Sequence, residues 1–107
     1  MAQVYSTLFA RIYSHSTSGH DIFIVPGGHK YIVRDVIVNN DVNAAVQARF
    51  YVVGETPFYY VAKCPTQYDS VHLDCRWVFN EGDHFAVVCN NAGEIGISVS
   101  GYDLLTP

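Results

Sequence analysis

The chain has 107 residues, 50% of them hydrophobic, with 15% charged and 14% aromatic side chains and a formal net charge of −4. This length supports a single domain around one core, and the charge content falls well below the roughly 25% of an ordinary globular protein. The six Lys and Arg are scattered, so the clustered cations that displace counterions from nucleic acid are missing, and no apolar run approaches the roughly 20 residues of a membrane-spanning helix.

The first residues, Met1 to Ser6, lack the basic region and oily core of a signal peptide, so synthesis in a cytoplasm is expected. A first strand is predicted over Val4 to Tyr13. It is apolar on both faces, and its pattern alone also allows an amphipathic helix. The polar run Ser14 to Gly19 reads as a loop. Asp21 to Val25 is a second strand, closed by the turn residues Pro26-Gly27-Gly28. A third strand, Tyr31 to Val38, is apolar on both faces apart from Arg34 and Asp35. A strand of that kind lies centrally or is covered by another element or subunit.

Asn39 to Asn43 reads as a turn. Ala45 to Val53 follows as a strand with Val46, Ala48, Phe50 and Val52 inward. Gly54 to Pro57 turns into a fifth strand, Phe58 to Lys63, and Cys64 to Asp69 reads as a loop. Val71 to Phe79 carries the clearest pattern: Val71, Leu73, Cys75, Trp77 and Phe79 sit at every second position with His72, Asp74 and Arg76 in the gaps, which gives a strand with one apolar and one wet face. Asn80-Glu81-Gly82-Asp83 is a turn of hairpin type. His84 to Cys89 is a seventh strand and Asn90 to Gly93 another turn. The eighth strand, Glu94 to Ser100, buries Ile95, Ile97 and Val99. Gly101 then shifts the phase to Tyr102 and Leu104, which suggests a bulge or bend.

No helical segment alternates with these strands, so a parallel α/β architecture is excluded. The expected fold is all-β: one antiparallel two-sheet β-sandwich over residues 1–107, jelly-roll-like, with about eight strands. An immunoglobulin-like sandwich is the alternative, although the Cys–Trp–Cys spacing of antibody domains is absent.

Catalytic constellations are weak. The five histidines, His15, His20, His29, His72 and His84, form no His-X-His pair, and a zinc site needs three or four converging ligands. They read as scattered surface side chains. The odd number of cysteines argues against a disulfide framework. Cys75 and Cys89 fall in apolar phase and read as inert, while Cys64 is placed in a loop as the one exposed thiol. Asp74, Glu81, Asp83 and Glu94 sit at turns and on wet faces, where charges ordinarily lie, rather than as a glycosidase pair. The expectation is a protein that is not an enzyme, with no catalytic residue, metal or cofactor.

The aromatic content points elsewhere. Eight Tyr and six Phe exceed what a small sandwich is expected to bury, so some should be exposed as contact surface. The candidates are Tyr5, Phe9 and Tyr13 in the first strand; Tyr59, Tyr60 and Tyr68 around the middle loop; and Tyr102, Leu104 and Leu105 at the end. Arg34 and Asp35 are candidates for an ion pair between subunits or within the chain. Tyr59, Tyr60 and Tyr68 could also stack on sugar rings.

Three ordered patterns carry a resemblance. They are Val25-Pro26-Gly27-Gly28-His29-Lys30-Tyr31-Ile32-Val33-Arg34-Asp35-Val36, then Arg76-Trp77-Val78-Phe79-Asn80-Glu81-Gly82-Asp83, then Val99-Ser100-Gly101-Tyr102-Asp103-Leu104. From Val25 onward the chain resembles small virion structural proteins of tailed bacteriophages, of the capsid decoration or minor tail type. The resemblance implies a structural role in the virion, after synthesis in the host cytoplasm. It also implies self-association, with a trimer by analogy, and attachment to major capsid or tail proteins, without nucleic acid or membrane. A carbohydrate- or receptor-binding module and a cupin-type metalloenzyme are the rival readings on the same fold.

Overall fold

The computed structural model describes residues 3–15, 19–54, 60–90 and 93–105. Within these ranges the side chains at 3–6, 13–15 and 93 are not described. Eight strands run in chain order: β1 (Gln3–His15), β2 (His20–Ile24), β3 (His29–Asn40), β4 (Val46–Val52), β5 (Tyr60–Cys64), β6 (Ser70–Phe79), β7 (His84–Cys89) and β8 (Gly93–Leu105). They form two four-stranded sheets, ordered β1-β8-β3-β6 and β2-β7-β4-β5. All ladders are antiparallel. Consecutive strands change sheet except β4 and β5, and this two-sheet order is the jelly roll expected from the strand count. There is no helix among the described residues, so the helical alternative for the first segment is set aside.

The alternation read in the sequence places the core. Val33, Val36, Val38, Ile95, Ile97, Val99 and Phe79 on the first sheet face Val46, Ala48, Phe50, Phe85 and Val87 on the second, all buried. A line of rings runs through the sandwich. Phe9 stacks on Tyr31 at 4.3 Å, Phe23 meets Phe79 at 5.3 Å, and Phe79 lies 4.6 Å from Phe85. Phe50 continues it to Trp77 at 6.1 Å, and Trp77 reaches Tyr60 at 5.9 Å. Phe50, Phe79 and Phe85 are fully buried, and each contributes on the order of 2 kcal/mol through loss of apolar surface to water.

Two strand irregularities shift the phase of side chains. In β1 the register slips between Leu8 and Ala10. Phe9 turns inward against Phe23 and Tyr31, while Leu8 is 47% exposed. Phe9 was expected among the exposed contact residues, and this bulge is why it packs inside instead. The second slip lies between Val33 and Asp35, against both β6 and β8. Val33 and Val36 are both fully buried, so Arg34 and Asp35 do not simply alternate across the sheet. At this slip Gly101 lies under the β3 backbone: a Cβ there would stand 1.9 Å from the Ile32 carbonyl oxygen. The phase shift expected at Gly101 does not occur in β8, whose buried positions continue through Val99 and Gly101 with Tyr102 outside. The extra residue lies in β3, and Gly101 is instead a close approach that only glycine permits.

Several boundaries differ from the sequence reading. Asn39 and Asn40 belong to β3 rather than to a turn. Cys64 ends β5 and is fully buried. It shares the inward phase of Ala62, so the exposed-thiol expectation fails; Pro65 marks the end of the strand and not its solvent exposure. The Asn80–Asp83 turn is not a hairpin, because β6 and β7 lie in different sheets. It crosses the sandwich, as does the Pro26–Gly28 turn, and the Gly28 N–H donates to Glu81 Oε2 at 2.9 Å to hold the two crossings together.

Candidate functional site

The outer face of the first sheet carries a row of partly exposed apolar side chains. Ile32 on β3 stands in register with Tyr102 on β8 and Val78 on β6. Side chains directly opposite one another on adjacent strands have Cβ atoms about 5 Å apart, so these three form one row. Tyr102 is 39% and Val78 46% exposed. Leu8 flanks the row, since it pairs with Ser100, two residues from Tyr102. Ile37 is exposed further along β3. Isolated surface apolar residues need no explanation, but a contiguous row marks a contact surface.

A depression of about 400 Å³ lies at one end of the sandwich, lined by Asn39, Asn40, Asp41, Tyr68, Asp69, Ser70 and Gly96. Its organiser is Asn40, which is 1% exposed. Its Nδ2 donates to the carbonyls of Ala44, Cys64 and Thr66 at 2.8, 3.2 and 3.0 Å. Its Oδ1 accepts from the Val42 N–H at 2.8 Å. Its backbone carbonyl accepts from the Tyr68 N–H at 2.6 Å. One amide therefore ties the end of β3 to two loops and sets the position of Tyr68. Tyr68 is 79% exposed and has a φ of 70°, the left-handed region that side chains other than glycine rarely adopt. Tyr68 was foreseen; Asn40 was not, because a polar residue next to Asn and Asp reads as a turn.

A second groove, about 500 Å³, runs along β6 and is lined by Tyr60, His72, Leu73, Asp74, Cys75, Arg76 and Trp77. Here β6 ends its sheet, so one side of its backbone has no partner strand among the described residues.

The histidines are less scattered than expected. His29 Nδ1 lies 2.8 Å from Asp103, His72 Nε2 2.7 Å from Asp35, and His84 Nε2 2.7 Å from Asp21. Each pair joins neighbouring strands. Among the described residues no group of three or more His, Cys, Asp or Glu side chains could hold a metal ion. The thiols are poorly disposed to ionise. Burial raises Cys64, with Asp69 adding to it. Burial and then Asp35 and Asp74 push Cys75 up to about 11, against the Arg34 charge. Burial, then Cys64, pushes Cys89 up to about 12. A reactive cysteine needs the opposite shift.

The remaining candidates divide as follows. Arg34 donates from Nε to the Cys75 carbonyl at 3.1 Å, and Asp35 holds His72, so both have partners within the chain. Tyr60 is exposed at the sandwich edge over Trp77. Leu104 and Leu105 are half-buried. The side chains of Tyr5 and Tyr13, and all of Tyr59, lie outside the described residues. The structure brings Tyr102 into the outer row with Ile32 and Val78, which the sequence did not single out, and keeps Tyr68 and Tyr60 on separate surfaces.

The fold thus defines, among the described residues, an eight-stranded jelly-roll sandwich with exposed apolar side chains on one sheet. No protein-family model matches the chain, and no curated protein matches its sequence. Solved structures share the fold. A chain of the Bacillus endospore appendages, a family of disulfide-linked pili, superposes with a TM-score of 0.59 at 12% identity, covering 99% of this chain and 89% of that one. A chain of infectious bursal disease virus, Gx strain, gives 0.53 at 13% identity over 97% of this chain and 32% of that one. The VP2 subviral particle of the same virus gives 0.53 at 12% identity over 98% and 33%. The chain spans about a third of those viral chains, and at such identities the likeness is one of fold.

Proposed function

We propose that the chain is a non-enzymatic structural protein of a bacteriophage virion, of the capsid decoration type, that binds the particle and reinforces it as a symmetric oligomer. The observation that carries this reading is the row Tyr102–Ile32–Val78 across the outer face of the first sheet, flanked by Leu8. The sandwich core is complete without it, so the row is surface left over for a partner. The low charge and the ordered resemblance to small phage virion proteins support the same reading, as does the recurrence of this fold in assembled shells and pili.

The mechanism is docking. Each copy offers a modest apolar interface, and a symmetric oligomer touching several shell subunits multiplies it through effective concentration. No cofactor, nucleic acid or membrane enters the proposal. The test is binding of the purified chain to particles stripped of it. Val78→Glu and Tyr102→Glu place a charge in the row without touching the core. Both are expected to weaken particle binding at least about tenfold, equivalent to roughly 1.4 kcal/mol, while leaving the thermal transition in place. Undiminished binding by both variants would remove the row from the proposal.

The Tyr68 depression favours a second reading, a carbohydrate- or receptor-binding module such as a minor tail protein would carry. An exposed ring beside Asn39, Asp41, Asp69 and Ser70 offers a stacking face and polar groups for sugar hydroxyls. Glycan-array binding that Tyr68→Ala abolishes would favour it over decoration.

A further inference from the structure

The groove beside β6 has a definite occupant. Of the four edge strands, β2 and β5 are five residues long, and β1 is thirteen residues long with its register broken at two places. β6 has ten residues, without Pro, Gly or Lys, and one side of its backbone is unpaired among the described residues. Proteins ordinarily protect such an edge with Lys, Pro or a short strand. β6 carries one register shift against β3, between Asp74 and Trp77, where the Arg34 side chain meets the Cys75 carbonyl and the Cys75 Sγ lies 3.7 Å from the Val33 carbonyl oxygen. Asp74 and Arg76 stand exposed on this edge strand and make no hydrogen bond or ion pair among the described residues.

The geometry points to a second copy of this chain, added antiparallel along β6 about a twofold axis through Cys75. In that register Asp74 faces the other copy's Arg76, and Arg76 faces its Asp74. Leu73 faces Trp77 on the inner side, Val71 faces Phe79, and the two Cys75 side chains meet on the axis. A twofold axis perpendicular to the sheet keeps outer faces together and inner faces together, so charges meet charges and apolar groups meet apolar groups. Neighbouring registers that preserve the faces are worse. Moving the axis toward the N-terminus of β6 sets Asp74 against Asp74 and His72 against Arg76. Moving it the other way sets Arg76 against Arg76. A further step back to Leu73 pairs Asp74 with His72, which Asp35 already holds, and leaves Arg76 against Ser70. Only the Cys75-centred register satisfies both free charges and pairs Val71 to Phe79 of each copy throughout. Backbone bonds supply the affinity and the side-chain pairs the register. The groove lined by Tyr60, Leu73 and Trp77 is covered when the partner's β6 lies along it.

This interface rests on the self-association in the proposed function, and not on which particle is bound. It uses one edge of one sheet and leaves the outer row for a shell.

Sedimentation equilibrium of the full chain tests it. The wild type is expected to dimerise with concentration. Asp74→Arg and Arg76→Asp each set like charges opposite one another twice, and each is expected to weaken the dimer about tenfold or more. The double exchange, Asp74→Arg with Arg76→Asp, restores the pairs and is expected to return the dimer to within about threefold of wild type. An unchanged thermal transition in each single variant shows that it folds, and dibromobimane is expected to join two copies through Cys75 in wild type but not in Cys75→Ser. A wild type that stays monomeric overturns both this interface and the self-association beneath it. An oligomer that ignores the single exchanges, or a double exchange that stays dissociated, overturns this interface alone.

Discussion

Asn40→Ala is the sharpest test of how the loops at the Tyr68 end are held. The wild-type amide makes three contacts from Nδ2 and one to Oδ1, and the residue is 1% exposed. Alanine keeps the β3 backbone and removes all four. It leaves the Ala44, Cys64 and Thr66 carbonyls and the Val42 N–H without this partner. A buried polar group stripped of its partner costs about 1–3 kcal/mol. The two hydrogens on Nδ2 serve three acceptors, and water can reach the outer ones through the adjoining depression. The expected loss is therefore about 3–5 kcal/mol rather than the full sum. A domain of this size holds only about 5–15 kcal/mol in total, so the midpoint of thermal unfolding should fall by on the order of 15 °C. Asn40→Asp separates hydrogen bonding from size. It keeps the acceptor for Val42 but turns a second oxygen on three carbonyls, and it should be at least as unstable as alanine. Urea unfolding followed by Trp77 fluorescence reads both. A loss under about 1 kcal/mol for alanine, or an aspartate variant as stable as wild type, would refute the reasoning.

Other outcomes follow from the same geometry. Gly101→Ala drives a methyl group into the Ile32 carbonyl and should cost about 3 kcal/mol or more in chemical denaturation, since the obstacle is backbone and cannot rotate away. Tyr68→Gly should be neutral or stabilising by up to about 1 kcal/mol, because glycine accepts the positive φ and the exposed ring packs little; a clear loss of stability would mean that the ring packs after all. Cys75 and Cys89 hold their protons more tightly folded than unfolded. Their contribution is present below the ordinary thiol pKa near 9 and is lost as pH rises toward about 11 and about 12. The urea midpoint should fall above roughly pH 9, and Cys89→Ala should flatten that slope; an unchanged slope would contradict the burial assigned to Cys89.

Much of the fold was legible because strands betray themselves by alternation. The six residues from Leu73 to Val78 show one wet and one dry face in sequence and in structure. The eight strands and the two-sheet sandwich followed from such runs and from the turns between them. What stayed hidden was whatever breaks the period. Phe9 was assigned outward because nothing local announces the slip between Leu8 and Ala10. Cys64 was placed in a loop because the following Pro65 outweighed its inward phase with Ala62. The hairpin reading of Asn80–Asp83 failed because turn chemistry does not say which sheet receives the next strand. The surfaces were legible only in part. Tyr102 and Tyr68 stood out as surplus aromatics, yet the row with Ile32 and Val78 exists only in the register of three strands. Asn40 looked like turn punctuation because its contacts to Val42 and Ala44 are those of a local turn, while the Cys64 and Thr66 carbonyls that bury it lie 24 and 26 residues away.

Electron cryo-microscopy of phage particles that carry the chain tests the central proposal most directly. Jelly-roll density is expected at symmetry-related positions on the shell, with the Ile32, Val78 and Tyr102 face turned toward the capsid subunits. Particles with no such density, or density whose contacts leave that face in solvent, would contradict the assignment.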